Sequence, residues 1–123
     1  MGSLFTAKGF LQIGGAVLLL VGILGYVGII GPTAADSIFG DAWWFDNAEN
    51  LAHTVLGVVG ILASFVLPMG LQKTLVLLLG LVGILVAGYN LTSTTLLGAN
   101  LENPADLALH AVVGLWALLA LRK

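Results

Sequence analysis

The sequence predicts an all-α integral membrane protein with four transmembrane helices. Hydrophobic residues make up 59% of the 123 positions and charged residues only 8%, and the mean hydropathy is +1.11. Soluble domains carry about 25% charged residues. Four basic and six acidic side chains are too few to form the polar exterior of a soluble domain of this length. We therefore expect the lipid bilayer to surround most of the chain.

Each of the four predicted spans approaches the roughly 20 residues that cross a bilayer core of about 30 Å. Turn-forming residues separate them: Gly31-Pro32 ends the first, Leu67-Pro68 ends the second, and Asn103-Pro104 opens the fourth. The predicted spans run from Lys8 to Ile30, from Glu49 to Leu67, from Thr74 to Leu91 and from Pro104 to Leu121.

The charges predict an orientation. The basic residues lie at the two termini and in the connection between the second and third spans, whereas all six acidic residues lie in or beside the other two connections. By the positive-inside rule, both termini are cytoplasmic, and the connections 31–48 and 92–103 lie outside. The sequence thus predicts an integral membrane protein with a defined orientation.

An internal duplication predicts two tandem hairpins in a single membrane domain that covers residues 1–123. Leu-Val-Gly-Ile-Leu occurs at Leu20–Leu24 and again at Leu81–Leu85, within the first span of each predicted hairpin. The first hairpin covers about 8–67 and the second about 72–121. Repeats of equal orientation are related by a pseudo-twofold axis along the membrane normal. Spans two and four would then lie diagonally opposite each other.

The second span of each hairpin carries the same polar stripe, a carboxylate, a histidine and a glycine at four-residue spacing, which places all three on one helix face. Asp46 and Asn103 precede the histidines by seven residues and are suitable N-caps, with the stripe carboxylate as capping-box partner. Together with Asn50 these residues form a predicted polar network. The stripes are Glu49, His53 and Gly57, and Asp106, His110 and Gly114.

The histidines are open to three interpretations. In the first, each imidazole hydrogen-bonds the carboxylate one turn above it, a carbonyl or water, and stabilises the bundle. In the second, His53 and His110 ligate the iron of haem b or the magnesium of a chlorophyll-like pigment, and Gly57 and Gly114 leave room for the macrocycle. In the third, the stripes bind a bare metal or relay protons. The Glu-x-x-x-His spacing differs from the Glu-x-x-His pattern of di-iron bundles, which disfavours a metal.

Two further patterns indicate packing and anchoring. Glycines recur at helix-contact spacing, which favours close helix packing over a substrate path. The first outer connection carries four aromatic residues among aspartates, and we expect it to lie at the headgroup level as an interfacial anchor. These residues are Phe39, Trp43, Trp44 and Phe45.

The runs Asn50-Leu51-x-His53-x-x-x-Gly57 and Asn103-Pro104-x-Asp106-x-x-x-His110-x-x-x-Gly114, with Gly-Ile-Leu-Gly at Gly22–Gly25, carry a family resemblance. The chain resembles a prokaryotic family of small four-span membrane proteins classed as a domain of unknown function. The resemblance implies the four-span topology and a place in a prokaryotic cell membrane, and it draws attention to His53 and His110. It implies no activity.

These observations predict a small integral membrane subunit or interaction protein that is not an enzyme. We expect the bilayer and other membrane subunits, or further copies of the chain, as its partners, and nothing indicates nucleic acid binding. The alternatives are a haem- or pigment-binding membrane protein and a small transporter or proton-relay protein.

Overall fold

A computed structural model describes residues 3–122 as a mostly helical protein. The four main helices are α1 (Ala7–Tyr26), α2 (Asn47–Val66), α3 (Met69–Asn90) and α4 (Ala105–Ala120). Within the described residues, α1, α2 and α3 are long and apolar enough to cross a membrane, and α4 is a shorter apolar helix. The predicted all-α class is therefore confirmed, and the three long apolar helices are compatible with a membrane protein.

The remaining regular structure lies in the two long connections. Single 3₁₀ turns form at Ala34–Asp36 and Gly40–Ala42. A small antiparallel hairpin pairs β1 (Thr95–Leu96) with β2 (Ala99–Asn100). Its turn contains Leu97 and Gly98, both with positive φ.

Most helix boundaries lie within two residues of those predicted, but two of them differ by four or five residues. Helix α1 ends at Tyr26 rather than continuing to Ile30, because Gly28 adopts φ +85° and turns the chain out of the helix. Ile30 then accepts a hydrogen bond from the amide of Phe45 (2.8 Å). Helix α3 begins at Met69, five residues before the predicted start at Thr74.

Gln72, in the first turn of α3, is buried where α2 turns into α3. Its side-chain nitrogen donates to the carbonyls of Ser64 (3.1 Å) and Leu67 (2.9 Å). Carbonyls at a helix C-terminus lack partners within the helix. Gln72 therefore stabilises a tight turn between the two helices.

The helices pack as two pairs, α1 along α2 and α3 along α4. We call these pairs the first and second hairpins. Glycines mediate both contacts. Gly15 lies against the carbonyl of Gly57 in the first hairpin, and Gly80 lies against that of Gly114 in the second. These glycines therefore occupy equivalent positions.

The repeated pentapeptide does not share this register. Gly22 lies against Asn50 and Thr54, but Gly83 lies against His110 and Gly114. His110 corresponds to His53 in the stripes, not to Asn50. The two copies of Leu-Val-Gly-Ile-Leu are thus about one helical turn out of register relative to the stripes.

The two hairpins meet in a common core near one end of the protein, which carries Lys8, Lys73 and Arg122 and which we call the basic end. Residues from all four helices contribute to this core. We call the opposite end, with all six carboxylates, the acidic end. The core comprises Ala7, Phe10, Leu11, Ala63, Val76, Ala117 and Ala120.

Candidate functional site at the acidic end

Helix α2 begins with the predicted capping box. The Asp46 carboxylate accepts a hydrogen bond from the amide of Glu49 (2.9 Å), and the Glu49 carboxylate accepts one from the amide of Asp46 (3.3 Å). Each side chain thereby satisfies a backbone donor that has no partner within the helix. The capping role predicted for Asp46 and Glu49 is confirmed.

The matching prediction for α4 was wrong. Asn103 does not cap the helix; its side-chain nitrogen instead donates to the carbonyl of Asn90 at the end of α3 (2.9 Å). Asp106 accepts from the amide of Glu102 (2.7 Å) instead of completing a box with Asn103. The amide group of Asn103 meets an open carbonyl at the end of α3, and this contact replaces the cap.

Two carboxylates, one at the start of α2 and one at the start of α4, also join the hairpins. The indole N–H of Trp43, in the first connection, donates to the Asp106 carboxylate of α4 (3.0 Å). The backbone amide of Asn100, in the second connection, donates to the Asp46 carboxylate that caps α2 (2.7 Å). We call these two bonds the reciprocal clasp, because each connection binds the carboxylate that opens the other hairpin's second helix.

The carboxylate of Asp106 needs these hydrogen bonds because the residue is buried, with only 1% of its surface exposed. A buried carboxylate is costly unless hydrogen bonds compensate its lost hydration. Each oxygen of Asp106 has one donor, the indole of Trp43 or the amide of Glu102. The clasp residue Trp43 is therefore a direct stabiliser of a buried acidic group.

Asn50 lies one turn above His53 and is fully buried between α1 and α2. Its side-chain nitrogen donates to the carbonyl of Phe45 (3.3 Å). A Cβ at Gly25 would collide with the Asn50 amide, so glycine is required there. The Asn50 side-chain oxygen has no partner among residues 3–122. Asn50 thus links α2 to the first connection and to α1.

The two histidines are both half-buried but differ in their contacts. The Nδ1–H of His110 donates to the carbonyl of Asp106, one turn earlier (2.7 Å). A carbonyl only accepts, so Nδ1 is the donor in this bond, and in the neutral form of the ring Nε2 is then the acceptor atom. The partner is the Asp106 carbonyl, which was one of the partners predicted for the imidazole.

His53 makes an edge-to-face contact with Phe45, with ring centroids 5.1 Å apart at 89°. Its Nδ1 is buried and has no hydrogen-bond partner within the described part of the chain. Phe45 in turn contacts Trp43 (ring centroids 5.0 Å apart), whose indole N–H donates to Asp106 of the other stripe. The stripes are therefore brought to the same region of the bundle.

The glycines of the stripes do not leave space for a macrocycle, contrary to that part of the cofactor interpretation. A Cβ at Gly57 would lie 2.6 Å from the Leu19 nitrogen, on α1. A Cβ at Gly114 would collide with the side chain of Ile84 and lie 3.1 Å from the Gly80 carbonyl, on α3. Both glycines face the partner helix of their own hairpin, where close packing requires them.

The aromatic residues of the first connection also separate into two roles. Phe45 is 3% exposed and packs between Trp43 (5.0 Å) and His53. The prediction that Phe45 is an interfacial anchor was therefore wrong, and Trp43 directs its N–H to Asp106 rather than to headgroups. Phe39 is exposed and contacts Trp43 with the two rings tilted (ring centroids 5.3 Å apart), and Trp44 is half-buried. Anchoring by Phe39 and Trp44 stays a prediction.

Metal coordination lacks a suitable ligand set in this region. Among residues 3–122, no three His, Asp or Glu side chains converge closely enough to hold a metal ion. The carboxylates instead accept hydrogen bonds from amide and indole groups. The side chains at the acidic end therefore form hydrogen bonds between the hairpins. The imidazoles of His53 and His110 lie further along α2 and α4.

Comparison with protein-family models finds no match, and comparisons with curated proteins and with solved structures find none either. The resemblance to a family of small four-span membrane proteins therefore stays a prediction from the sequence.

Proposed function

We propose that this chain is a small, non-catalytic integral membrane subunit that works within an oligomer or a larger membrane complex. In this proposal it crosses the bilayer four times as two tandem hairpins related by a pseudo-twofold axis, with both termini cytoplasmic. The 16 residues of α4 span by local thinning of the bilayer or by extension through the turn at Leu121.

The reciprocal clasp is the observation that carries this proposal. Polar groups inside a membrane protein generally mark a substrate path or a structural network. Here both oxygens of Asp46 and both oxygens of Asp106 accept hydrogen bonds from protein donors. These carboxylates already have a structural role, and the proposal needs no substrate to explain them.

The exposed surface of α3 supports the proposed place of the chain in an oligomer or a larger membrane complex. Helix α3 exposes one large apolar side chain after another along its length, and no charged residue occurs between Thr74 and Leu101. Such a surface is suited to acyl chains or to the helices of other membrane subunits. Its exposed members include Leu77, Leu78, Leu81, Val82, Ile84 and Leu85.

Two experiments test the proposal. The chain has no cysteine, so single cysteines at Ser3, Asp41, Gly70 and Leu97 report topology through an impermeant thiol reagent applied to intact cells. The proposal expects labelling at Asp41 and Leu97 but protection at Ser3 and Gly70. Native mass spectrometry of gently extracted protein then expects a defined oligomer or a stoichiometric membrane partner. A monomer that carries neither would contradict the subunit role.

A haem- or pigment-binding function is the second candidate, and the His110 geometry favours it. Histidines that bind metals usually donate their other ring N–H to a carbonyl or carboxylate. The bond from His110 Nδ1 to the Asp106 carbonyl has this form, and Nε2 remains to ligate. A Soret or pigment absorption band in natively extracted protein would support this candidate if the band is lost when His53 and His110 are replaced by glutamine. Colourless protein would support the subunit role.

A further inference from the structure

An apolar groove of about 400 Å³ lies at the basic end, away from the histidines. It runs between the last two turns of α4 and the segment that precedes α1. The groove is open to its surroundings rather than enclosed. The groove is lined by Leu4, Phe5, Val112, Leu115, Trp116 and Leu119.

The walls of the groove are held in place. The indole N–H of Trp116 donates to the carbonyl of Leu4 (2.6 Å), and its ring packs edge-on against Phe10 of α1 (ring centroids 4.6 Å apart). Ser3 accepts a hydrogen bond from the amide of Phe5 (3.1 Å) through its hydroxyl. The groove is therefore preformed by contacts on both sides.

Arg122 is exposed and lies just beyond Leu119, the last residue of α4 that lines the groove. It follows Leu115 by seven residues and Leu119 by three, so all three share one helix face. Its amide donates to the Leu119 carbonyl (3.2 Å), which continues the helical path past the end of α4. Of the other described cations, Lys8 lies over the Phe65 ring of α2 (5.8 Å), and Lys73 belongs to α3.

We propose that this groove binds one acyl chain of an anionic phospholipid, whose phosphate is bound by Arg122. The apolar lining matches the acyl chain, and the guanidinium matches a phosphate through paired hydrogen bonds. All six acidic residues lie at the other end of the protein, so nothing acidic among the described residues repels the headgroup. Basic pockets on the cytoplasmic side of membrane proteins bind anionic headgroups in this way. This inference rests on the proposed membrane-spanning arrangement.

Native mass spectrometry tests the inference on protein exchanged into micelles that contain phosphatidylglycerol and phosphatidylcholine with identical acyl chains. We expect the retained lipid to be mainly phosphatidylglycerol. Arg122→Gln should lower the preference for phosphatidylglycerol about fivefold, the effect of one basic residue near an anionic surface. Lys73→Gln, which removes a cation of the same end but of another helix, should leave the preference unchanged.

Leu115→Trp tests the groove itself. Leu115 is exposed, so the larger ring fills the groove without entering the core, and retention of both lipids should fall. Leu78→Trp, at an exposed position of α3, is the matched control and should retain lipid as the parent does. Equal retention of the two lipids by the parent protein, or undiminished retention by Leu115→Trp, would overturn the inference. Thiol labelling of the cysteine variants is independent of lipid retention, so failure of the spanning arrangement would be recognised separately.

Discussion

Replacing Gly57 by alanine should destabilise the protein, because the backbone of α1 packs directly against this glycine of α2. An added Cβ would lie 2.6 Å from the Leu19 nitrogen and 2.7 Å from the Gly15 carbonyl oxygen. Both atoms belong to the α1 backbone, so no side-chain rotation relieves the collision. The helices would have to separate by most of an ångström, and overpacking of this kind costs about 1–3 kcal/mol.

Gly88→Ala is the matched control. Gly88 also lies in a helix, but a Cβ there would meet nothing within 4 Å. Replacing a helical glycine at an open position should stabilise the protein by up to about 1 kcal/mol. The two identical substitutions are therefore expected to act in opposite directions.

Gly114→Ala should fall between these extremes. The nearest obstacle to its Cβ is the side chain of Ile84, which can change rotamer, and the Gly80 carbonyl oxygen lies further away at 3.1 Å. The free energy of unfolding can be followed by circular dichroism as denaturant is added to the protein in micelles. If Gly57→Ala proved as stable as Gly88→Ala, the assigned packing of α1 against α2 would be refuted.

Two further substitutions probe the acidic end. Asp46→Ala removes both the cap of α2 and the acceptor for the Asn100 amide, so the free energy of unfolding should fall by about 2 kcal/mol. Asp41→Ala, at an exposed position, is the control. An equal effect of the two substitutions would contradict this prediction. Leu97 has φ +52° and is 97% exposed, so Leu97→Asn should raise the free energy of unfolding by about 1 kcal/mol. An unchanged unfolding midpoint for Leu97→Asn would show that no strain is relieved.

Composition and local pattern were enough to predict the helical membrane class and part of the acidic end. The scarcity of charge predicted helices suited to lipid, and the Asp46–Glu49 spacing predicted the capping box that forms. These features depend on residues within one turn of each other. Local physical chemistry therefore determines them without knowledge of the fold.

The contacts between the hairpins could not be predicted in this way. Trp43 and Asp106 are separated by 63 residues, and Asp46 and Asn100 by 54. Neither spacing carries a periodic signal, because the connections reach each other only after the helices have packed. The aromatic cluster accordingly resembled a membrane anchor, although Trp43 and Phe45 face inward.

The repeated pentapeptide shows a different difficulty. Its two copies are identical in sequence, yet Gly22 and Gly83 lie at different heights relative to the stripes. In an apolar helix many glycines can serve as the contact point, and backbone fit selects among them. Here Gly15 and Gly80 occupy the equivalent positions, outside the repeated sequence.

The central claim is that the carboxylates opening α2 and α4 hold the two hairpins together. A double-mutant cycle in lipid bicelles, built from Trp43→Phe, Asp106→Ala and the combined variant, measures this directly. The bond from Glu102 is lost in both backgrounds and cancels in the cycle. The indole-to-carboxylate bond predicts a coupling free energy of at least about 1.5 kcal/mol. Additivity within about 0.5 kcal/mol would contradict the clasp.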